Sequence, residues 1–230
     1  MNRIIPKSVG LAIGAATMLV LASTAAASTV TVTATFGGTW LPGSTVTTFD
    51  AGQPANLTLA NGAAIVTGSQ SGSYAAPWVG GPNGGPDQTP YVSVFQGSSA
   101  TLTLTQPSNY LGLLWGSVDP DPSRNLISLY RGETLVGTVQ GADIVAQVPG
   151  LVTAGGPGSG TNWDYLGTVY ANISSSLAFD RVVFEDLSGG NSFEFDNVAV
   201  VPLPMALPLF ASAMIGLGLL GKWRESRGEV

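Results

Sequence analysis

Between residues 29 and 200 an alternation of apolar and polar positions with a period of two recurs, and no segment sustains the 3.6-residue period of a surface helix. Residues 29–36 set Val30, Val32, Ala34 and Phe36 against threonines, and residues 57–66, 91–95 and 100–105 read the same way. Residues 110–118 are more continuously apolar and hold Trp115, the pattern of a strand buried on both faces. Residues 126–130 and 134–139 flank Arg131-Gly132-Glu133, a short hairpin turn. Residues 144–148, 166–173, 181–185 and 192–200 complete the set of predicted strands. About ten short strands with turn residues between them predict an all-β domain, an antiparallel β-sandwich or jelly roll. Two stretches carry no strand pattern: 68–90, rich in Gly and Pro, and 149–163, rich in Gly. Loops of that length inside a compact domain tend to be functional or disordered.

The ends follow other rules. Arg3 and Lys7 precede an uncharged, largely apolar run over 9–22, and Ala25 and Ala27 form a small-residue cleavage site before Ser28. That order is a secretory signal peptide, removed to leave a chain starting near Ser28. A second uncharged run covers 198–221 and is followed by Lys222, Trp223, Arg224 and Arg227. A helix from Pro202 to Gly221 would span about 30 Å, the thickness of the hydrocarbon layer. Basic residues at both ends imply that everything between lies outside the inner membrane. The expected organisation is a signal peptide (1–27), a β-sandwich ectodomain (28–200) and a sorting tail (201–230). Gly216, Gly218 and Gly221 match a dinucleotide-binding spacing, but no strand precedes them and no acid follows at ribose distance.

Composition narrows the chemistry. The 230 residues include no Cys and no His, which excludes disulfides, thiolate nucleophiles, Cys/His zinc sites and the Ser-His-Asp unit. Between 28 and 200 the basic residues are Arg124, Arg131 and Arg181, against twelve Asp and Glu, a net charge of −9. Such a domain cannot neutralise a phosphate backbone, so nucleic acid is not an expected partner. A cation or a neutral glycan fits the charge better.

Val201-Pro202-Leu203-Pro204, then Leu207-Pro208-Leu209, the run ending at Gly221, and Lys222-Trp223-Arg224 together resemble the PEP-CTERM sorting signal, in its Val-Pro-Leu-Pro-Ala variant. Met205 stands where that variant has Ala. The resemblance implies recognition and cleavage by an exosortase in a Gram-negative bacterium. It further implies a membrane-anchored precursor and a product at the cell surface or in an exopolysaccharide matrix. Tyr74-Ala75-Ala76-Pro77, residues 110–119, Leu135-Val136-Gly137, Gly141-Ala142-Asp143 and Phe193-Glu194-Phe195-Asp196-Asn197-Val198 are similar to a group of exosortase-dependent surface proteins. That similarity implies a lectin-like sandwich.

Four sets of residues carry candidate chemistry. Tyr74, Trp78, Trp163 and Tyr165 sit in or beside the Gly-rich loops, where exposed rings could stack on sugars or cap the core. Asp119, Asp121 and Asn125 offer oxygens that could wrap a hard cation such as Ca²⁺, or close a Pro-stiffened turn. Asp50 near the first strands and Asp196-Asn197 in the last could meet at one structural Ca²⁺, as chain ends do in lectin-like sandwiches. Glu185, Asp186 and Glu194 are the acids a glycosidase could use. Adjacent strand residues face opposite ways, so Asp186 and Glu194, across the turn at 188–191, are the better pair. The expectation is a non-enzymatic surface protein that needs no cofactor. A carboxylate-dependent carbohydrate-active enzyme and a purely structural matrix protein are the alternatives.

Overall fold

The computed structural model describes residues 28–121, 124–151, 165–187 and 192–203. The expected signal segment with Ala25 and Ala27, the sorting residues from Pro204 onward, the expected membrane helix beyond it and Trp163 lie outside the described residues. Among those described, no helix is long and apolar enough to cross a membrane.

The fold is antiparallel β-structure throughout. The strands are β1 (Val30–Thr35), β2 (Thr45–Thr47), β3 (Leu57–Ala60), β4 (Ala64–Val66), β5 (Trp78–Val79), β6 (Gly85–Pro86), β7 (Tyr91–Phe95), β8 (Ser98–Gly116), β9 (Leu126–Arg131), β10 (Thr134–Gln140), β11 (Val169–Asp186) and β12 (Ser192–Pro202), with one short helix, α1 (Gly141–Val145), after β10. The main path runs β10-β9-β11-β8-β12-β7-β4, with β1 beside β11, β2 beside β12 and β3 beside β8. β5 and β6 form a separate small ribbon.

The backbone of the molecule is the β8/β11 ribbon. Val169 pairs with Trp115 at one end and Asp186 with Ser98 at the other, and the ladder is interrupted in between. The residues on the two strands match one for one across the interruption, so it leaves no net shift. Pro107 has no N–H to give the ladder. Side chains take over there: Ser108 Oγ lies 2.7 Å from the Tyr110 carbonyl and 2.8 Å from that of Val201, and Asn109 Nδ2 donates to Ser175 O at 2.8 Å. Each half of the ribbon has its own neighbours. β9 and β3 flank the Arg181–Asp186 and Ser98–Thr103 half. β1 and β12 flank the other.

Several expectations are corrected. Residues 57–66 are two strands, because Asn61 and Gly62 both take positive φ (56° and 106°) and turn the chain from its place beside β8 to its place beside β7. Residues 100–105 and 110–116 belong to one strand, which ends at Gly116 rather than at residue 118; 166–173 and 181–185 also share one strand, which starts only at Val169. The strand expected over 144–148 is replaced by α1 over Gly141–Val145. Asp143 at its third position accepts from Gln140 N at 2.9 Å, a capping box that starts a helix. β12 continues to Pro202, and Leu203 N donates to Pro107 O at 2.8 Å, so the β-structure extends past residue 200 into Val201, Pro202 and Leu203.

Candidate functional site

The alternation in Phe193-Glu194-Phe195-Asp196 places each ring and each acid. On β12 the rings face the core: Phe193 stacks on Trp115 at 4.7 Å, Phe195 on Phe184 at 4.0 Å, and Phe49 meets Phe195 edge-on at 5.9 Å. Period two then sends Glu194 and Asp196 to the opposite face. There Glu194 lies opposite Ser93 and Gly116, and Asp196 opposite Leu114. The face opposite a sheet's core ordinarily meets water, yet both acids are 1 % exposed.

The Gly- and Pro-rich chain over 68–90 covers them. Ala75 N donates to Glu194 Oε1 at 3.0 Å, and Ser192 Oγ contacts that oxygen and donates to Ser73 O at 2.9 Å. Tyr91 hydroxyl donates to Gly68 O at 2.5 Å, and Trp78 N donates to Thr168 Oγ1 at 2.9 Å. Gly116 lets Pro77 lie on the sheet: a Cβ there would stand 3.2 Å from the proline ring. The loop also meets the chain that follows β1. Gly37 and Gly81 both have φ of +61°, and a Cβ on Gly37 would fall 2.9 Å from the Gly81 Cα.

Asp87, 5 % exposed, is carried in by the same loop. Its Oδ1 accepts from Thr89 N at 2.8 Å and Thr89 Oγ1 at 2.6 Å. Its carboxyl lies within hydrogen-bond reach of Asp196, and Asp50 is near enough for its charge to act there. Burial pushes the Asp196 carboxyl up to about 8; the Asn197 N–H opposes this, while Asp87 and Asp50 reinforce it. Burial likewise pushes Glu194 up to about 7, against hydrogen bonds from Ser192, Ala75 and Ser117. Asn197, with φ of 50° at a bulge, donates to Asp196 Oδ2 at 3.1 Å. Asp87 is thus a close neighbour of the Asp196 carboxyl, and Asp50 acts on it through its charge. Among the described residues no three acids form a tight metal-holding group on their own.

Asp119 and Asp121 are placed differently from a cation loop. Arg124 reaches back to the Asp119 carboxylate and lies 3.9 Å from Asp121, while Asn125 Oδ1 accepts from Asp119 N at 2.8 Å. The guanidinium of Arg124 supplies a positive charge to both carboxylates. Asp186 is fully buried on the edge of this group, and its charge acts on Arg124. Asp186 and Glu194 are both buried, and Glu185 is half-buried on the ladder to β9.

Of the aromatic set, Tyr74 is half-buried and packs edge-on against Tyr91 and Phe95, at 6.5 and 6.1 Å. Trp78 is half-buried, with its indole N–H donating to Gly81 O at 2.8 Å. Tyr165 opens a short 3₁₀ turn, Tyr165–Gly167. Among the described residues the most exposed aromatic ring belongs to Trp40, outside the expected set, 38 % exposed beside the exposed Leu41. It packs on Tyr170 at 6.1 Å, and Leu41 N donates to the Tyr110 hydroxyl at 3.1 Å. Its signal was present, a Trp two residues before Pro42-Gly43 between two strands. Ser28 lies beside Ser175 at 3.4 Å, two residues before β1. A shallow hollow of about 280 Å³ between β1, β10 and α1 is lined by none of the expected site residues.

No protein-family model matches the sequence, and no curated protein matches it. Among solved structures, the chain is similar to the catalytic domain of a GH87 alpha-1,3-glucanase in complex with tetrasaccharides (14 % identity, TM-score 0.40). That match covers 70 % of this chain and 28 % of the glucanase chain. It is also similar to the K2 cleaved adhesin domain of Lys-gingipain (12 % identity, TM-score 0.41), over 68 % of this chain and 98 % of that one. The Agl-KA catalytic domain gives 11 % identity and a TM-score of 0.38, over 70 % of this chain and 28 % of that one. TM-scores below 0.5 at such identities assign no activity or ligand to this chain.

Proposed function

We propose that the chain is an exported protein, processed by an exosortase and left at the cell surface or in the extracellular matrix, where a β-sandwich ectodomain binds glycan without catalysing a reaction. The observation that carries the sorting half is the three-part tail: the motif Val201-Pro202-Leu203-Pro204, the uncharged run and the basic end. The placement of β1 two residues after Ser28 agrees with signal cleavage there. Val201, Pro202 and Leu203 are tied to β8, so the exosortase would cut beyond Leu203. Intact mass of the protein recovered from its host surface is the test. A product starting near Ser28 and ending before Trp223 is expected; surface material that keeps Trp223 overturns it.

The sandwich reading rests on Phe184 stacking on Phe195 at 4.0 Å, a contact between the two neighbour sets of the β8/β11 ribbon. It requires the ribbon to fold over at its interruption. The glycan half rests on Trp40, whose exposed ring is backed by Tyr170 on the sheet and is thus ordered before any ligand arrives. A glycan array probed with the full chain is expected to show binding to neutral polysaccharide. Trp40→Ala should weaken it about tenfold, the scale of one lost stacking contact. An array with no binder leaves the structural matrix role as the function.

A further inference from the structure

Among the described residues the buried acids are Asp119 and Asp186, Asp87 and Asp196, and Glu194, and only the first two have a cation of their own. Asp119 and Asp186 have Arg124. The other two basic residues of the domain are used at the edge formed by β9, β10 and β11. Arg131 lies 3.6 Å from Asp180, and Arg181 lies 3.4 Å from Glu133 and over the Tyr130 ring at 4.3 Å. The domain has no Lys or His, so the Asp87–Asp196 group has no basic side chain to draw on. Both of these acids are at least 95 % buried. On each, one oxygen is satisfied by its neighbours, Thr89 on Asp87 Oδ1 and Asn197 on Asp196 Oδ2. The remaining oxygens, Asp87 Oδ2 and Asp196 Oδ1, have no hydrogen-bond partner although the two carboxyls are neighbours. Facing carboxylates taken out of water repel each other, so a proton or a cation has to lie between their oxygens.

We propose that Asp87 and Asp196 bind a divalent cation of the Ca²⁺ class, with Asp50 as the outer carboxylate and backbone carbonyls or water completing its shell. The donor chemistry selects the ion. Every available ligand is oxygen, which suits Ca²⁺ and excludes the nitrogen and sulfur sets that zinc prefers. Two carboxylates with an exposed third, rather than a closed carboxylate cage, match a site that fills its coordination from carbonyls and solvent. The site pins three otherwise separate pieces: the turn after β2 that carries Asp50, the covering loop that carries Asp87, and the last strand. It is a separate site from the Trp40 surface, and its test does not depend on glycan binding.

The test uses the full chain. Thermal unfolding in excess Ca²⁺ should occur several degrees higher than in EGTA, and Tb³⁺ should bind and be displaced by Ca²⁺. Asp87→Asn with Asp196→Asn removes the repulsion together with the ligands. That double variant is expected to fold in EGTA and to lose both responses. Coincident wild-type curves in Ca²⁺ and EGTA with no Tb³⁺ binding would overturn the proposal and leave a shared proton between the two carboxyls. A Ca²⁺ response that survives in the double variant would overturn it too, by placing the ion elsewhere. Should the double variant not fold, Tb³⁺ displacement on the wild type decides alone.

Discussion

Trp115 shows how a single residue carries the core. It is fully buried, stacks on Phe193, and its indole N–H has no partner among the described residues. Trp115→Ala should therefore cost about 3–5 kcal/mol, the range for emptying a large aromatic site. Trp115→Phe keeps a ring against Phe193 and discards an unpaired donor, so it should cost less than half as much. Denaturant midpoints at unchanged slope check both. Three tyrosines make a separate, pH-dependent statement. Tyr91, Tyr110 and Tyr170 donate to Gly68 O, Asn172 Oδ1 and Asn197 O, and burial raises all three above the ordinary value of 10.0. Charges on Glu194 and Asp87 add to this for Tyr91, and that of Asp196 for Tyr170. A raised acid means that above pH 10 the unfolded chain sheds phenolic protons the folded chain keeps. The stabilisation is complete below that pH and is lost as pH rises from there through the raised values of the folded chain. In a tyrosinate absorbance titration at least three of the six tyrosines should stay protonated until the chain unfolds. Ionisation of all six near pH 10 in a still-folded chain would contradict this.

Among elements, the β8/β11 ribbon is the one whose behaviour can be tested at a single point. Ser108 is fully buried at the interruption, where its hydroxyl serves the Tyr110 carbonyl and N–H and the Val201 carbonyl. Ser108→Ala leaves those backbone groups without it and should cost about 1–3 kcal/mol, with faster amide exchange at the joint than at either end of the ribbon. The same joint explains what the sequence could and could not show. Each half of β8 and β11 was legible because its residues alternate against a core. The joins were not, because Gln106-Pro107-Ser108-Asn109 and Ser174-Ser175-Ser176 bury little apolar surface where the ribbon changes neighbours. The helix α1 has five residues, too few to display a 3.6 period, and only the Gln140–Asp143 capping spacing announced it. The site divides in the same way. Asp50 and Asp196 could be paired only by analogy with lectin-like sandwiches, and a polar face on β12 reads as solvated. Nothing in a period-two pattern says that a Gly- and Pro-rich loop will close over it and carry Asp87 in.

At the scale of the whole molecule, charge is the scarce component. Twelve acids between residues 28 and 200 share three arginines, and the fold buries Asp87, Asp119, Asp186, Glu194 and Asp196. Glu194 is managed by donors from Ser192 and Ala75 and by a carboxyl raised toward neutrality. Asp119 and Asp186 are managed by Arg124, whose own side chain is three-quarters buried. Removing one partner of such a pair strands the other in low dielectric, which is far more damaging than losing a surface ion pair. Arg124→Met keeps most of the volume and deletes the charge. It should destabilise the full chain by about 3–5 kcal/mol, whereas Arg131→Met, beside the partly exposed Asp180, should cost at most about 1 kcal/mol. Adding Asp119→Asn to Arg124→Met should recover part of the loss, because the stranded charge is then gone. Denaturant unfolding of the three variants in EGTA measures this at the Arg124 end without contribution from the Asp87–Asp196 pair. Equal, small losses for Arg124→Met and Arg131→Met would mean that this fold tolerates buried carboxylates without a cation, and the need for one at Asp87 and Asp196 would fall with it.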